Sequence, residues 1–238
     1  MIADAALIAL VLFGAALLRS IFGFGDALFA MPLASLVVGV TVAAPVVGLV
    51  SLVLAAGVLV ASRRHVDVAT VRYLLAASLV GIPVGVSVLS RADEGALRLT
   101  LGAIVIGFGL YRLFSPRLPE LHHRRWALPF GFAAGCLGGA YNIGGPPVVL
   151  YGALRGWSAP RFRGTLQGYF LVTSIVIALA QGAGGLWTRE VVVLVGASTP
   201  GVVAALWWGQ GLARRLEPAT FDRHLSLVLV ALGVLLLL

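Results

Sequence analysis

The sequence predicts an all-α polytopic membrane protein built from two inverted repeats. Each repeat is a Gly-broken or re-entrant helix pair followed by three spanning helices. Three observations predict it. First, 60% of the 238 residues are hydrophobic and only 11% are charged, against about 25% charged in ordinary soluble domains. Second, several apolar stretches reach the roughly 20 residues that a helix needs to cross hydrocarbon. Third, two glycine-rich breaks interrupt these stretches about half the chain apart. One reads Gly23-Phe24-Gly25-Asp26 with Pro32 beyond it, and the other runs Gly138-Gly139-Ala140-Tyr141-Asn142-Ile143-Gly144-Gly145-Pro146-Pro147.

In chain order, the first apolar segment covers 2–19. It carries Asp4 and lacks a basic leader, so it is expected to be a retained helix rather than a cleaved signal peptide. Beyond the first break come 26–39, 42–61, 68–90 and 96–114. A polar stretch, 115–125, separates these from 126–140, 144–155, 163–182, 190–212 and 223–238. The domain reading is therefore a first repeat at 1–114, a cytoplasmic linker at 115–125 and a second repeat at 126–238. The segments flanking the breaks are short, 144–155 most of all. Short helices joined at a glycine tip suit a re-entrant hairpin or a broken pair. Either makes an even number of crossings, so each half crosses an odd net number of times and the repeats point in opposite directions.

Charge gives an independent count. The net charge of +8 comes from arginine alone among the strong bases, and it lies in short loops, where it sets orientation rather than marking a nucleic-acid partner. One set of loops holds Arg63, Arg64, Arg72, Arg112, Arg117, Arg124, Arg125, Arg155, Arg161, Arg163, Arg214, Arg215 and Arg223. The other holds Arg91, Arg98 and Arg189 beside Asp4, Asp93, Glu94 and Glu190. The arginine-rich face is the cytoplasmic one, which puts both termini outside a cell inner (plasma) membrane.

Chain breaks inside hydrocarbon leave backbone groups to be satisfied internally, so they are tolerated mainly where they line a cavity. Paired breaks in corresponding positions of two halves mark the binding site of a secondary transporter. The N–H groups that open a helix are unpaired and sit at its positive end, an arrangement suited to an anion. Gly23, Gly25, Gly144 and Gly145 allow close backbone approach, and Pro146 and Pro147 fit a first helical turn. The competing reading is that the glycines serve only tight helix packing. A methyl added at Gly144 or Gly145 is expected to harm binding more than folding, and one at Gly107 or Gly233, inside ordinary spans, to do little to binding.

Asp26 is an intramembrane carboxylate and therefore a functional candidate. It either carries a coupling proton or caps the helix that follows, and both readings stand at this point. Arg19 either offers positive charge to an anion or snorkels to an interface. Tyr141 and Asn142 offer hydrogen-bonding side chains at the second break; Gln167, Thr173 and Ser174 lie on the next span, the last two read more readily as interhelical glue. The candidate binding set is thus Arg19, Gly23, Phe24, Gly25, Asp26, Tyr141, Asn142, Gly144, Gly145, Pro146 and Gln167.

Cys136 is the single cysteine, and His65, His122, His123 and His224 are not spaced as metal ligands. No zinc-protease, nucleophile-elbow or Walker motif is present, so neither an enzyme nor an ATP-driven pump is indicated and no cofactor is expected. The expected partners are a small anion and the lipid bilayer, with a coupling proton or ion and a homo-oligomer left open.

Gly23-Phe24-Gly25 with Pro32, and Asn142-Ile143-Gly144-Gly145-Pro146-Pro147-Val148-Val149-Leu150-Tyr151, resemble the sulfite exporter TauE/SafE family across essentially the whole chain. The resemblance implies an inner-membrane permease for sulfite or other sulfur-containing organic and inorganic anions, coupled to an ion gradient. Asp26 stands where that family would be expected to have glycine or an apolar residue. A passive anion channel, an uptake permease for organic anions and a membrane scaffold are the alternatives carried forward.

Overall fold

A computed structural model describes residues 2–62, 67–114, 120–212 and 218–237. Arg63, Arg64, His65, Arg117, Arg214 and Arg215, named above for loops, lie outside the described residues. The described residues form ten α-helices in this order: α1 (Ile2–Phe22), α2 (Asp26–Val38), α3 (Val40–Ser62), α4 (Val68–Arg91), α5 (Glu94–Phe114), α6 (Ala127–Tyr141), α7 (Gly145–Leu154), α8 (Ala159–Ala183), α9 (Arg189–Leu212) and α10 (Pro218–Leu237). Six of them contain a stretch long and apolar enough to cross a membrane: Ala3–Ile21, Val40–Gly57, Val68–Arg91, Glu94–Phe114, Gly164–Ala183 and Arg189–Gly209.

Local chemistry sets the boundaries. Asp67 caps α4, its Oδ1 accepting from the Thr70 amide at 3.2 Å. α8 starts at Ala159 rather than 163, because extended Ser158 and Pro160 supply a helix start that hydropathy does not sense. α6 ends on Asn142 at φ 56°, the one non-glycine in the left-handed region among the described residues; asparagine tolerates it better than most side chains. Gly23 (φ 83°) and Gly25 (φ 97°) make the corresponding turn between α1 and α2, where a Cβ would add strain.

Both breaks are hairpin tips. Phe29 on α2 lies beside Gly14 on α1. The far end of α2 meets the α4–α5 junction, where the Val40 amide donates to Glu94 Oε1 at 2.5 Å. The second hairpin returns to where it began: the Leu121 amide, just before α6, donates to Leu154 O at 2.7 Å. Arg155 Nη1 then ties α7 to the linker through Leu121 O at 2.5 Å and His122 O at 2.6 Å. At 1.5 Å per residue, α6 dips about 22 Å and α7 returns about 15 Å.

The closest packing joins helices from opposite sides of the linker. Gly131, Gly135 and Gly139 of α6 lie against Leu74, Ser78 and Ile82 of α4, so these two run parallel. Backbone meets backbone there. A Cβ on Gly135 would fall 2.5 Å from Ser78 O, and one on Gly85 would fall 2.8 Å from the Ala140 amide. Small residues permit this approach, which supplies the dispersion energy that lipid cannot. α1 and α9 also run parallel, Gly201 beside Phe13 and Gly209 beside Ser20. α5 and α10 run antiparallel, Gly102 beside Gly233 and Gly109 beside Ser226. α3 and α8 are antiparallel too, with Gly48 near Gln181 and, further along α3, Ser51 sharing the cavity wall with Thr173.

Two of the glycines named above are packing positions. Gly233 is not an ordinary span position, since a Cβ there would meet Ile106 Cγ1 at 2.5 Å. Gly144 is also a packing residue, with Ala134 O 2.8 Å from a Cβ.

Candidate functional site

The two hairpin tips meet at an interior cavity of ≈ 40 Å³, room for about three water molecules. Phe24, Gly25 and Asp26 come from the first tip, and Asn142, Gly144 and Gly145 from the second. Ser51 of α3, Ile82 of α4 and Thr173 of α8 complete the wall, each near the middle of its helix. The α7 helix begins at Gly145, after Gly144 as its cap. Pro146 and Pro147 carry no N–H, so at this end only the Gly144 and Gly145 amides are available to the cavity, beside the positive end of that helix.

Arg19, in the last turn of α1, supplies a formal cation to the same wall. It is 3% exposed. Its Nη1 donates to Asp26 Oδ2 at 2.8 Å, and Nη2 makes a long bond of 3.4 Å to Gln167 Oε1. Nε is buried with no partner. The guanidinium also stacks over Phe170, 5.3 Å from the ring centroid, a favourable cation–π geometry. The snorkelling alternative for Arg19 therefore fails: its charge is held inside the protein by an acid, an amide and a ring.

Asp26 is 5% exposed. It is the first residue of α2, and Gly25 is the cap, with no side-chain capping bond. The capping alternative is corrected accordingly: the Asp26 carboxylate turns to Arg19 and to Ser51, whose hydroxyl donates to Oδ2 at 2.8 Å. A carboxylate buried beside a guanidinium and a hydroxyl has its charge balanced at the point where α2 opens.

Each tip is pinned by an amide. Gln167 Nε2 donates to Gly23 O. Asn142 Nδ2 donates to Ala44 O at 2.5 Å, and Gln181 Nε2 to Gly139 O at 3.3 Å. From the cavity wall a run of aromatic contacts leads to the end carrying Arg155 and Arg161. Phe24 meets Phe162 at 6.2 Å between centroids, and Phe162 meets Trp157 at 6.3 Å. Arg112 lies over Phe24 and Arg161 over Trp157. At that end Arg161 pairs with Asp67. Burial alone would raise the Asp67 carboxyl, but hydrogen bonds from Arg161 and Thr70 hold it at about 2.

A family model, Sulfite exporter TauE/SafE, matches residues 8–236, a span that takes in both hairpins and the cavity between them. The chain belongs to the sulfite exporter TauE/SafE family. Membership makes it a multi-pass membrane transporter of the sulfite-exporter type and not an enzyme. A relative from Cupriavidus necator, described as a probable sulfite/organosulfonate exporter TauE, is 30% identical over 227 residues, covering 92% of this chain and 88% of that one. No solved structure matches the chain.

In this TauE/SafE member, seven of the sequence-derived candidates share the cavity wall: Arg19, Phe24, Gly25, Asp26, Asn142, Gly144 and Gly145. Gly23 and Gln167 stand just behind it, bonded to each other. Pro146 is buried in the first turn of α7. Tyr141 faces elsewhere, into a separate cavity of ≈ 250 Å³ shared with Leu97, Thr100 and Cys136. Ser51, Tyr169 and Phe170 were not singled out from sequence, yet all three line the site. A lone serine in the middle of an apolar span was the available signal for Ser51. Thr173 and Ser174, read as glue, also reach the wall. No group of three His, Cys, Asp or Glu suited to a metal occurs among the described residues.

Proposed function

We propose that this protein is a secondary transporter that exports sulfite or related sulfur-containing anions, working by alternating access around the cavity between the hairpin tips. The carrying observation is the buried Arg19, whose Nε has no partner, set where the α7 N-terminus opens into the same cavity. The Arg19 guanidinium and the Gly144 and Gly145 amides at the start of α7 together match the oxygens of a sulfur oxyanion. The family and the exporter description of the relative support sulfur anions over other anions.

The alternating-access part rests on reading the two halves as inverted repeats. The pairing of helices supports this, because α5 with α10 and α3 with α8 hold equivalent places in the two halves and pack antiparallel. A two-fold axis in the membrane plane produces that relation. In the same frame the linker end is cytoplasmic, both termini face outward, and the aromatic run from Phe24 to Trp157 closes the cytoplasmic route.

The test is flux from proteoliposomes loaded with sulfite, with and without an imposed pH gradient. Saturable efflux that responds to the gradient is the expected result. Efflux that neither saturates nor responds identifies a passive channel, and absence of flux removes the transport proposal. A ligand screen by thermal stability would rank sulfur oxyanions, sulfonates and carboxylates beforehand.

A further inference from the structure

Three sources of positive potential converge on the cavity: Arg19, the N-terminus of α7 and the N-terminus of α2. In a water-poor interior such a site would hold an oxyanion very tightly. A transporter needs the opposite balance, with binding favourable enough to load and weak enough to release. Asp26 is placed to supply that balance. It sits on the first residue of α2, at that helix's positive end, and takes one nitrogen of Arg19.

The remaining edge of Arg19 is buried but not saturated. Nε has no partner, and Nη2 has only the long contact to the neutral Gln167 amide. These two N–H groups form the fork with which a guanidinium grips two oxygens at once. Asp26 therefore leaves Arg19 able to bind while removing its net charge. Among the described residues, the charged group bonded to Asp26 is Arg19, and its other hydrogen-bond partner is the Ser51 hydroxyl.

We propose that Asp26 is the charge-selecting residue of the anion site, limiting it to singly charged sulfur oxyanions such as hydrogensulfite and organosulfonates and keeping dianions out. With Arg19 and Asp26 cancelling, a monoanion is balanced by the helix N-termini, whose positive ends amount to about half a charge each. A dianion would leave a full charge uncompensated in hydrocarbon. The proposal rests on the cavity being the substrate site.

Methanesulfonate and sulfate test it, since they share a tetrahedral sulfur and differ by a methyl in place of a charged oxygen. Affinity for each is measured with purified wild type and Asp26→Asn. Asparagine can still accept from Arg19 and Ser51, so the substitution removes charge and keeps geometry. At roughly 6 Å and an effective dielectric of about 20, losing the carboxylate charge tightens a monoanion by on the order of tenfold to a hundredfold. A dianion gains by about the square of that factor, since it carries twice the charge. The expected result is a wild type that prefers methanesulfonate and a variant whose preference shifts toward sulfate, with tighter binding of both. Weaker binding of both by a folded Asp26→Asn would mean that Asp26 only positions Arg19, and would overturn the proposal. A wild type that prefers sulfate overturns it without recourse to any variant, and leaves the transport proposal standing. Binding of neither anion to wild type, together with sulfite, would overturn both.

Discussion

Gly144 and Gly145 are adjacent, both line the cavity, and a single methyl on each has opposite consequences. At Gly145 the nearest atom to a new Cβ is Phe170 Cζ at 3.6 Å, an ordinary contact. The residue is the first of α7 and keeps a negative φ, so alanine fits the backbone. Gly→Ala at such a position stabilises by about 0.4–1 kcal/mol through the unfolded chain. The methyl nevertheless takes a volume close to that of one water, about 30 Å³ in the liquid, beside a cavity with room for few. At Gly144 the Cβ would stand 2.8 Å from Ala134 O, a backbone atom of the packed α6. Overpacking of that kind costs about 1–3 kcal/mol. Gly145→Ala is therefore expected to melt at or above the wild-type temperature in detergent while losing at least about tenfold in anion affinity, roughly 1.4 kcal/mol. Gly144→Ala should melt lower. Thermal unfolding and titration with the best anion from the screen read both effects. Wild-type affinity in a folded Gly145→Ala would show that the anion binds elsewhere and that the tips are packing devices.

Arg19→Gln should abolish anion binding and destabilise by about 3–5 kcal/mol, because it strands the Asp26 carboxylate. Adding Asp26→Asn should restore much of the stability and none of the binding, which a double-mutant cycle of melting temperatures and titrations would measure. A cysteine at the exposed Glu120, in a Cys136→Ser background, should resist an impermeant thiol reagent in intact cells and react once the membrane is opened; labelling from outside would reverse the orientation. Asp67 titrates at about 2 in the folded protein against an ordinary 3.8. Its contribution to stability is complete above the ordinary value and is lost as pH falls from there through about 2. Asp67→Asn should accordingly flatten the fall in melting temperature between pH 5 and pH 3, chosen as about one unit either side of the ordinary value.

Helix positions were legible because spanning helices announce themselves by hydropathy, and the hairpins because glycine and proline punctuate short segments. The relation between Arg19 and Asp26 was not. Seven residues apart, they would share a face of one continuous helix, but the Gly23–Gly25 turn brings them together across two helices instead. Sequence separation carries no information about that turn's geometry. Gln167 could be named as a polar residue on a span, whereas its bond to Gly23 depends on how α8 crosses the first tip. Gly233 looked interchangeable with Gly107. The difference is only in what faces them: Gly107 has open space, and Gly233 has Ile106 and the Gly102 carbonyl. Small-residue spacing at Gly131, Gly135 and Gly139 was visible in the sequence, but its partner helix was not, because contact choice is a property of the assembled bundle.

That α4–α6 contact has a bearing on how the protein is made. A ribosome delivers α4 to the membrane well before α6 exists, and α1 must wait still longer for α9. Until then the glycine faces at Gly81 and Gly85 have only lipid chains to lie against, which cannot come as near to the backbone. The first half is thus an open intermediate, its most intimate surfaces unfilled, and it closes only when translation has passed the linker and laid α6 of the second hairpin against α4. Residues 1–114 and 126–238 expressed separately would be interdependent products, each exposed to quality-control proteolysis alone and protected together.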